Sequence, residues 1–133
     1  MPAALLRTTG ADAFGETFAA LRQILEPYAK ERLQVRVDDA DTYELCSRTM
    51  TDRKGQPLFV ASVVKRKSYV SFNLMPIYTC PELVETLSSA LRKRMQGKAC
   101  FNFKTIESDE LKELTRLTKT GVARLEKIKL PWS

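Results

Sequence analysis

Histidine is absent from this chain of 133 residues. That single absence removes imidazole from every mechanism: no Ser-His or Cys-His pair, no histidine metal ligand and no histidine general base. Cysteine is scarce, and Cys46, Cys80 and Cys100 are odd in number and widely spaced. They form neither a disulfide framework nor a zinc pattern. Long apolar runs are missing too. No stretch approaches the roughly 18 residues that a membrane span requires, and the opening MPAALL is too short an apolar stretch for a secretory signal. The expected location is therefore the cytoplasm. No cofactor-binding signature and no catalytic signature stands in the sequence, so the expectation is a protein that is not an enzyme and carries no cofactor.

What is present is an ordinary globular composition, 44% hydrophobic and 29% charged, of a length suited to one domain over residues 1–133. The net charge of +6 is unevenly placed. Residues 1–50 hold 6 basic against 8 acidic side chains, and residues 51–133 hold 16 against 8. Such asymmetry is the electrostatic signature of an anionic partner.

The periodicity predicts an α+β domain with α-helices packed on an antiparallel sheet. Phe14, Phe18, Leu21, Leu25 and Tyr28 recur at spacings of three and four, which predicts a helix over 13–29. Asp12 is its expected cap, and Pro27 is expected to kink or end it. LQVRV at 33–37 alternates as a strand, and a second short strand follows an acidic turn at 43–48. After a polar loop at 49–56, LFVASVV (58–64) and SYVSFNLM (68–75) read as a hairpin turned by Lys65, Arg66 and Lys67. In its second strand Val70, Phe72 and Leu74 share the core face, while Tyr69, Ser71, Asn73 and Met75 share a mixed face open to water.

Thr79 and Glu82 match a capping box, with Pro81 in the first turn and Tyr78 placed to staple Leu83. Leu83, Leu87, Leu91 and Met95 then mark a single helix that Gly97 stops in a left-handed conformation. ACFNFK at 99–104 alternates as a strand. Ser108, Asp109 and Glu110 open a last helix whose stripe is Leu111, Leu114, Val122 and Leu125, with Gly121 beside it for close packing on the sheet. Trp132 sits in a tail that docks or frays.

PLFVASVVKRKSYVSFNLMPIY, then PELVETLSSALRKRMQGK, then ACFNFK and a closing amphipathic helix, together resemble the YdhG-like family, domain of unknown function 1801. The likeness covers about residues 55–125, and MQGKACFNFK with YVSFNLMPIY is its most specific part. The resemblance implies a small α+β fold. Some members are regarded as frataxin-like iron chaperones supplying iron–sulfur and haem assembly, so an iron-chaperone role is one implied function. No iron ligand transfers to a numbered residue here.

Several features carry alternative readings. Asp38, Asp39 and Asp41, with Glu44, are either a hard-cation site or a solvated turn. Cys80 at a helix mouth is either a redox-active thiol with a lowered pKa or a small apolar filler. The basic residues suggest an anion or nucleic-acid surface beside the hairpin. Its expected members are Lys65, Lys67, Tyr69, Ser71 and Asn73, joined by Arg94 and Lys98, binding through charge and sheet-face hydrogen bonds. A homodimer is a further possibility. The leading expectation is a binding or accessory domain whose ligand the sequence leaves open.

Overall fold

The computed structural model describes residues 10–125, apart from residue 31, together with residue 127. A first helix, α1 (Gly10–Leu25), precedes four consecutive strands: β1 (Leu33–Asp38), β2 (Thr42–Thr51), β3 (Pro57–Lys65) and β4 (Val70–Leu74). Short helical turns follow, α2 (Pro76–Thr79), a 3-10 turn at Pro81–Val84 and α3 (Ser89–Arg92). Strand β5 (Cys100–Phe103) and the long helix α4 (Ser108–Leu125) complete the described chain. All strand pairs are antiparallel, in the order β1-β2-β3-β4-β5. The expected α+β class is the one observed. Among the described residues no helix is long and apolar enough to cross a membrane.

The core follows from the alternation in β4. Val70, Phe72 and Leu74 are fully buried and pair across the sheet with Lys65, Val63 and Ala61 on one side. On the other side Val70 and Phe72 face Phe103 and Phe101. Phe18, Leu21 and Leu25 of α1, with Leu114, Leu117 and Leu125 of α4, close over that face in one cluster. Gly121 sits against β4 and α2: a methyl group there would lie 3.4 Å from Pro76 Cβ and 3.5 Å from Leu74 Cδ2. The helix thus approaches the sheet where its side chain is smallest, as the sequence predicts. The helices form a single layer, so the opposite sheet face carries none among the described residues.

Helix α1 ends at Leu25, and Pro27 enters a 3-10 turn at Glu26–Tyr28, consistent with the expected stop. Its start differs from expectation. The helix begins at Gly10, so Asp12 falls within the first turn rather than at the cap. Trp132 lies outside the described residues.

The larger correction concerns residues 81–96, where one helix is expected and two short helical turns, Pro81–Val84 and Ser89–Arg92, stand instead. Ser88 breaks the helix. It adopts an extended conformation (ψ 157°) and its side chain accepts the N–H of Leu91 at 3.2 Å, capping α3. Glu113 of α4 fixes Ser88 from outside, accepting its backbone N–H at 2.7 Å and its hydroxyl at 2.6 Å. The expected capping box does not form, because the Thr79 hydroxyl donates to the carbonyl of Pro76 at 3.0 Å. Tyr78 does not staple Leu83; it is 63% exposed. The apolar stripe survives the break: Leu83 and Leu91 are buried, and Leu87 and Met95 pack against them. Gly97 has the predicted positive φ (82°), used in the turn before β5.

Candidate ligand-binding groove

The pairing registers place polar residues of four strands in rows on the helix-free face. One row runs Glu44, Ser62, Asn73, Cys100; the next runs Thr42, Val64, Ser71, Asn102. Above the first row lies a groove of about 500 Å³, within the usual range for small-molecule sites. Its floor is the first row, with Val64 and Arg66 toward the β3–β4 hairpin. Phe59, Met75 and Tyr78, with Gln96, Lys98 and Ala99, wall the other end.

Strand alternation explains the membership. Ser62 and Val64 of β3 share a face, and Arg66, the first residue past the strand, lines the groove with them, whereas Lys65 belongs to the core side. Lys98 arrives by a different route. The segment after α3 folds back along β5, with Gln96 N–H donating to Cys100 O at 2.9 Å and Asn102 N–H to Arg94 O at 2.8 Å. The same segment covers the outer edge of β5, which leaves β1 as the edge strand without an outer neighbour among the described residues.

The floor is partly satisfied. Asn73 Nδ2 donates to Ser62 Oγ at 3.1 Å, and the Cys100 thiol donates to Asn102 Oδ1 at 3.5 Å. Ser71 is only 3% exposed and its hydroxyl has no hydrogen-bond partner among the described residues. Burial pushes the Cys100 thiol above its ordinary pKa, and the positive charge of Arg66 opposes that shift. The thiol is therefore held in its neutral form at neutral pH. Neither Arg66 nor Lys98 meets a carboxylate among the described residues, whereas Glu44 is neutralised by Arg36. Lys98 Nζ lies 5.5 Å from the centroid of the Tyr78 ring. The groove is thus net positive, with two uncommitted cations.

Of the residues expected from the sequence, the groove unites Asn73 and Lys98. Ser71 lies in the neighbouring row, buried rather than open to water. Lys67 is exposed in the hairpin turn and Tyr69 is half-buried at its end. Two expected members are elsewhere. Lys65 approaches Asp41 at 3.5 Å. Arg94 is drawn to the helix layer, where its guanidinium contacts Glu110 at 2.8 Å and lies 5.7 Å from the Phe103 centroid. The sequence reading missed Arg66, Ser62, Cys100, Phe59 and Gln96. Extending the alternation of β3 through the turn would have chosen Arg66 over its two neighbours.

The acidic cluster resolves into separate local roles. Arg22 grips Asp38 at 2.8 and 3.2 Å. Asp39 Oδ1 accepts the N–H groups of Asp41 and Thr42 at 2.9 and 2.8 Å, an Asx turn joining β1 to β2. Among the described residues no group of three or more Cys, Asp or Glu is placed to hold a metal ion. Cys80 precedes a 3-10 turn of four residues rather than the expected long helix.

No protein-family model, curated protein or solved structure matches this chain.

Proposed function

We propose that this protein is a non-enzymatic binding or accessory domain whose helix-free sheet face takes a small anionic ligand. One observation carries the reading: Arg66 and Lys98 flank a groove of about 500 Å³ without carboxylate partners among the described residues, whereas Lys65 and Arg94 are paired with Asp41 and Glu110. Unpaired cations beside a water-poor polar floor attract acids by charge-assisted hydrogen bonds. Burial, which raises the Cys100 thiol pKa, leaves that thiol protonated at neutral pH, which favours binding over thiolate chemistry.

An iron-chaperone role, which the YdhG-like resemblance implies, has less support. The carboxylates it would need are committed to Arg22, Arg36 and the β1–β2 turn. Nucleic-acid binding shares the charge requirement, but the groove offers two cations rather than the longer track that a polyanion engages.

Thermal unfolding with a panel of small acids (phosphate, citrate, benzoate, phenyl phosphate) tests the proposal. A ligand at a hundredfold excess over its Kd stabilises by about 2.7 kcal/mol, or roughly 5–10 °C in Tm for a domain of this size. At least one acid is expected to give such a shift, and Arg66→Ala with Lys98→Ala together to abolish it. A shift that survives the double substitution, or none with any acid, contradicts the proposal. Binding of a labelled ten-nucleotide single strand, with a log–log salt slope steeper than about −2, where each phosphate contact contributes about −0.7, would favour nucleic acid instead.

A further inference from the structure

The two ends of the groove differ in kind. Arg66 stands opposite Tyr69, since its N–H donates to the Tyr69 carbonyl at 2.8 Å. At the far end Leu74 N–H donates to Ala99 O, which brings Lys98 level with Met75. The lining residues follow β3 from Phe59 to Arg66, so the groove runs along the strands. Moving from the hairpin outward, a ligand meets Arg66 and Val64, then the polar row of Ser62, Asn73 and Cys100. Beyond these lies an apolar wall of Phe59, Met75 and Ala99, with the Tyr78 ring at its rim.

The two cations are not equivalent either. Lys98 already has a partner in the face of the Tyr78 ring, a cation–π contact that holds its ammonium at the apolar end. Arg66 has no ring contact and no carboxylate among the described residues. It is exposed, yet it lines the groove at the hairpin end, and its positive charge acts on the Cys100 thiol. A guanidinium is also the better fork for a planar acid group. Polar contacts beyond Arg66 come from Ser62, whose hydroxyl proton is not committed to Asn73, and from the Asn73 carbonyl oxygen.

Resting on the anion-binding reading above, we infer that the ligand is a small acid with a planar aromatic body. It lies lengthwise, with the acid group on Arg66 and the ring against Phe59, Met75 and Tyr78. Carboxylate and phosphate heads share this chemistry, and the test separates them. Such a ligand crosses directly over Cys100, so the thiol reports its presence.

The experiment follows N-ethylmaleimide modification of Cys100 in the full chain by peptide mass mapping. The probes are indole-3-acetate, phenyl phosphate, uncharged indole and inorganic phosphate. Protection is taken as the rate ratio with and without probe for each variant, because Arg66→Ala itself raises the thiol pKa and slows the basal reaction. One or both aromatic acids are expected to protect Cys100 at concentrations where indole and phosphate do not. Protection by indole-3-acetate alone marks a carboxylate ligand, and by phenyl phosphate alone a phosphate. Arg66→Ala is expected to raise the half-protecting concentration about tenfold or more, the loss expected for a charge-assisted contact. Lys98→Ala is expected to raise it less than about threefold, because its ammonium stands beside the Tyr78 ring at the end away from the acid group. If inorganic phosphate protects as well as the aromatic acids, and Arg66→Ala weakens it, the anion site stands and the aromatic ligand is wrong. If Lys98→Ala equals Arg66→Ala, the orientation is wrong. If no probe protects, or Arg66→Ala changes nothing, both readings fall together.

Discussion

Phe72→Ala is expected to destabilise the fold by about 3–5 kcal/mol, the range for truncating a fully buried phenylalanine. Phe72 is completely buried in the middle of β4, with Val63 and Phe101 on its flanking strands, beneath the helix layer. Domains of this size have about 5–15 kcal/mol of stability in all, so the loss is a large fraction of the total. The neighbouring position supplies the contrast. Ser71 points to the other face, is almost as hidden, and its hydroxyl has no partner among the described residues. Removing a buried hydroxyl that makes no hydrogen bond removes a desolvation penalty, so Ser71→Ala is expected to be neutral or to stabilise by up to about 1 kcal/mol. Urea unfolding midpoints of the two variants check both values. Equal losses at both positions would contradict the assignment of faces on which the groove depends.

The second large effect is expected at Glu110. Its side chain is 5% exposed, and it ties together three parts of the chain. Glu110 Oε2 accepts from Arg94 Nε at 2.8 Å, and Oε1 accepts the backbone N–H of Glu107 at 3.1 Å, which closes the first turn of α4. Removing one partner from a pair buried on one side leaves an unanswered charge and an open helix N–H. Glu110→Ala is therefore expected to cost about 2–3 kcal/mol. Glu110→Gln keeps an acceptor for Glu107 and loses only the charge, so its cost is smaller. A double-mutant cycle with Arg94→Ala measures the coupling; a coupling energy near zero would show that Glu110 acts through packing alone. The tie has a consequence for the groove. Arg94 sits at the root of the segment that carries Gln96 and Lys98, and its carbonyl accepts from Asn102. Glu110 thus positions the apolar end of the groove from the opposite side of the sheet.

Local pattern carried much of this architecture. The two faces of β4, the hairpin to β3, the stop of α1 before Pro27 and the close approach at Gly121 all follow from alternation, ring geometry and side-chain size at single positions. Long-range contacts decided the rest. Nothing near Ser88 announces a helix break, because the residue that secures it, Glu113, is 25 positions away. Arg94 reads as one more cation at a helix end until Glu110 is seen buried beside it. The same limit shaped the site: counting charges around the hairpin selected Lys65 and Lys67, whereas the register of β3 against β4 selects Arg66. Cys100 and Ser62 carry no charge and became visible only as cross-strand neighbours of Asn73.

The most direct test of the anion groove is a backbone-amide NMR titration of the full chain with phenyl phosphate. The account predicts shifts concentrated at Ser62, Val64 and Arg66 of β3 and its turn, at Asn73 of β4, and at Lys98, Ala99 and Cys100. Residues of α1 and α4 should be unmoved. Shifts centred instead on the small notch between Tyr28, Leu33 and Val122, or spread evenly over all exposed basic residues, would contradict it.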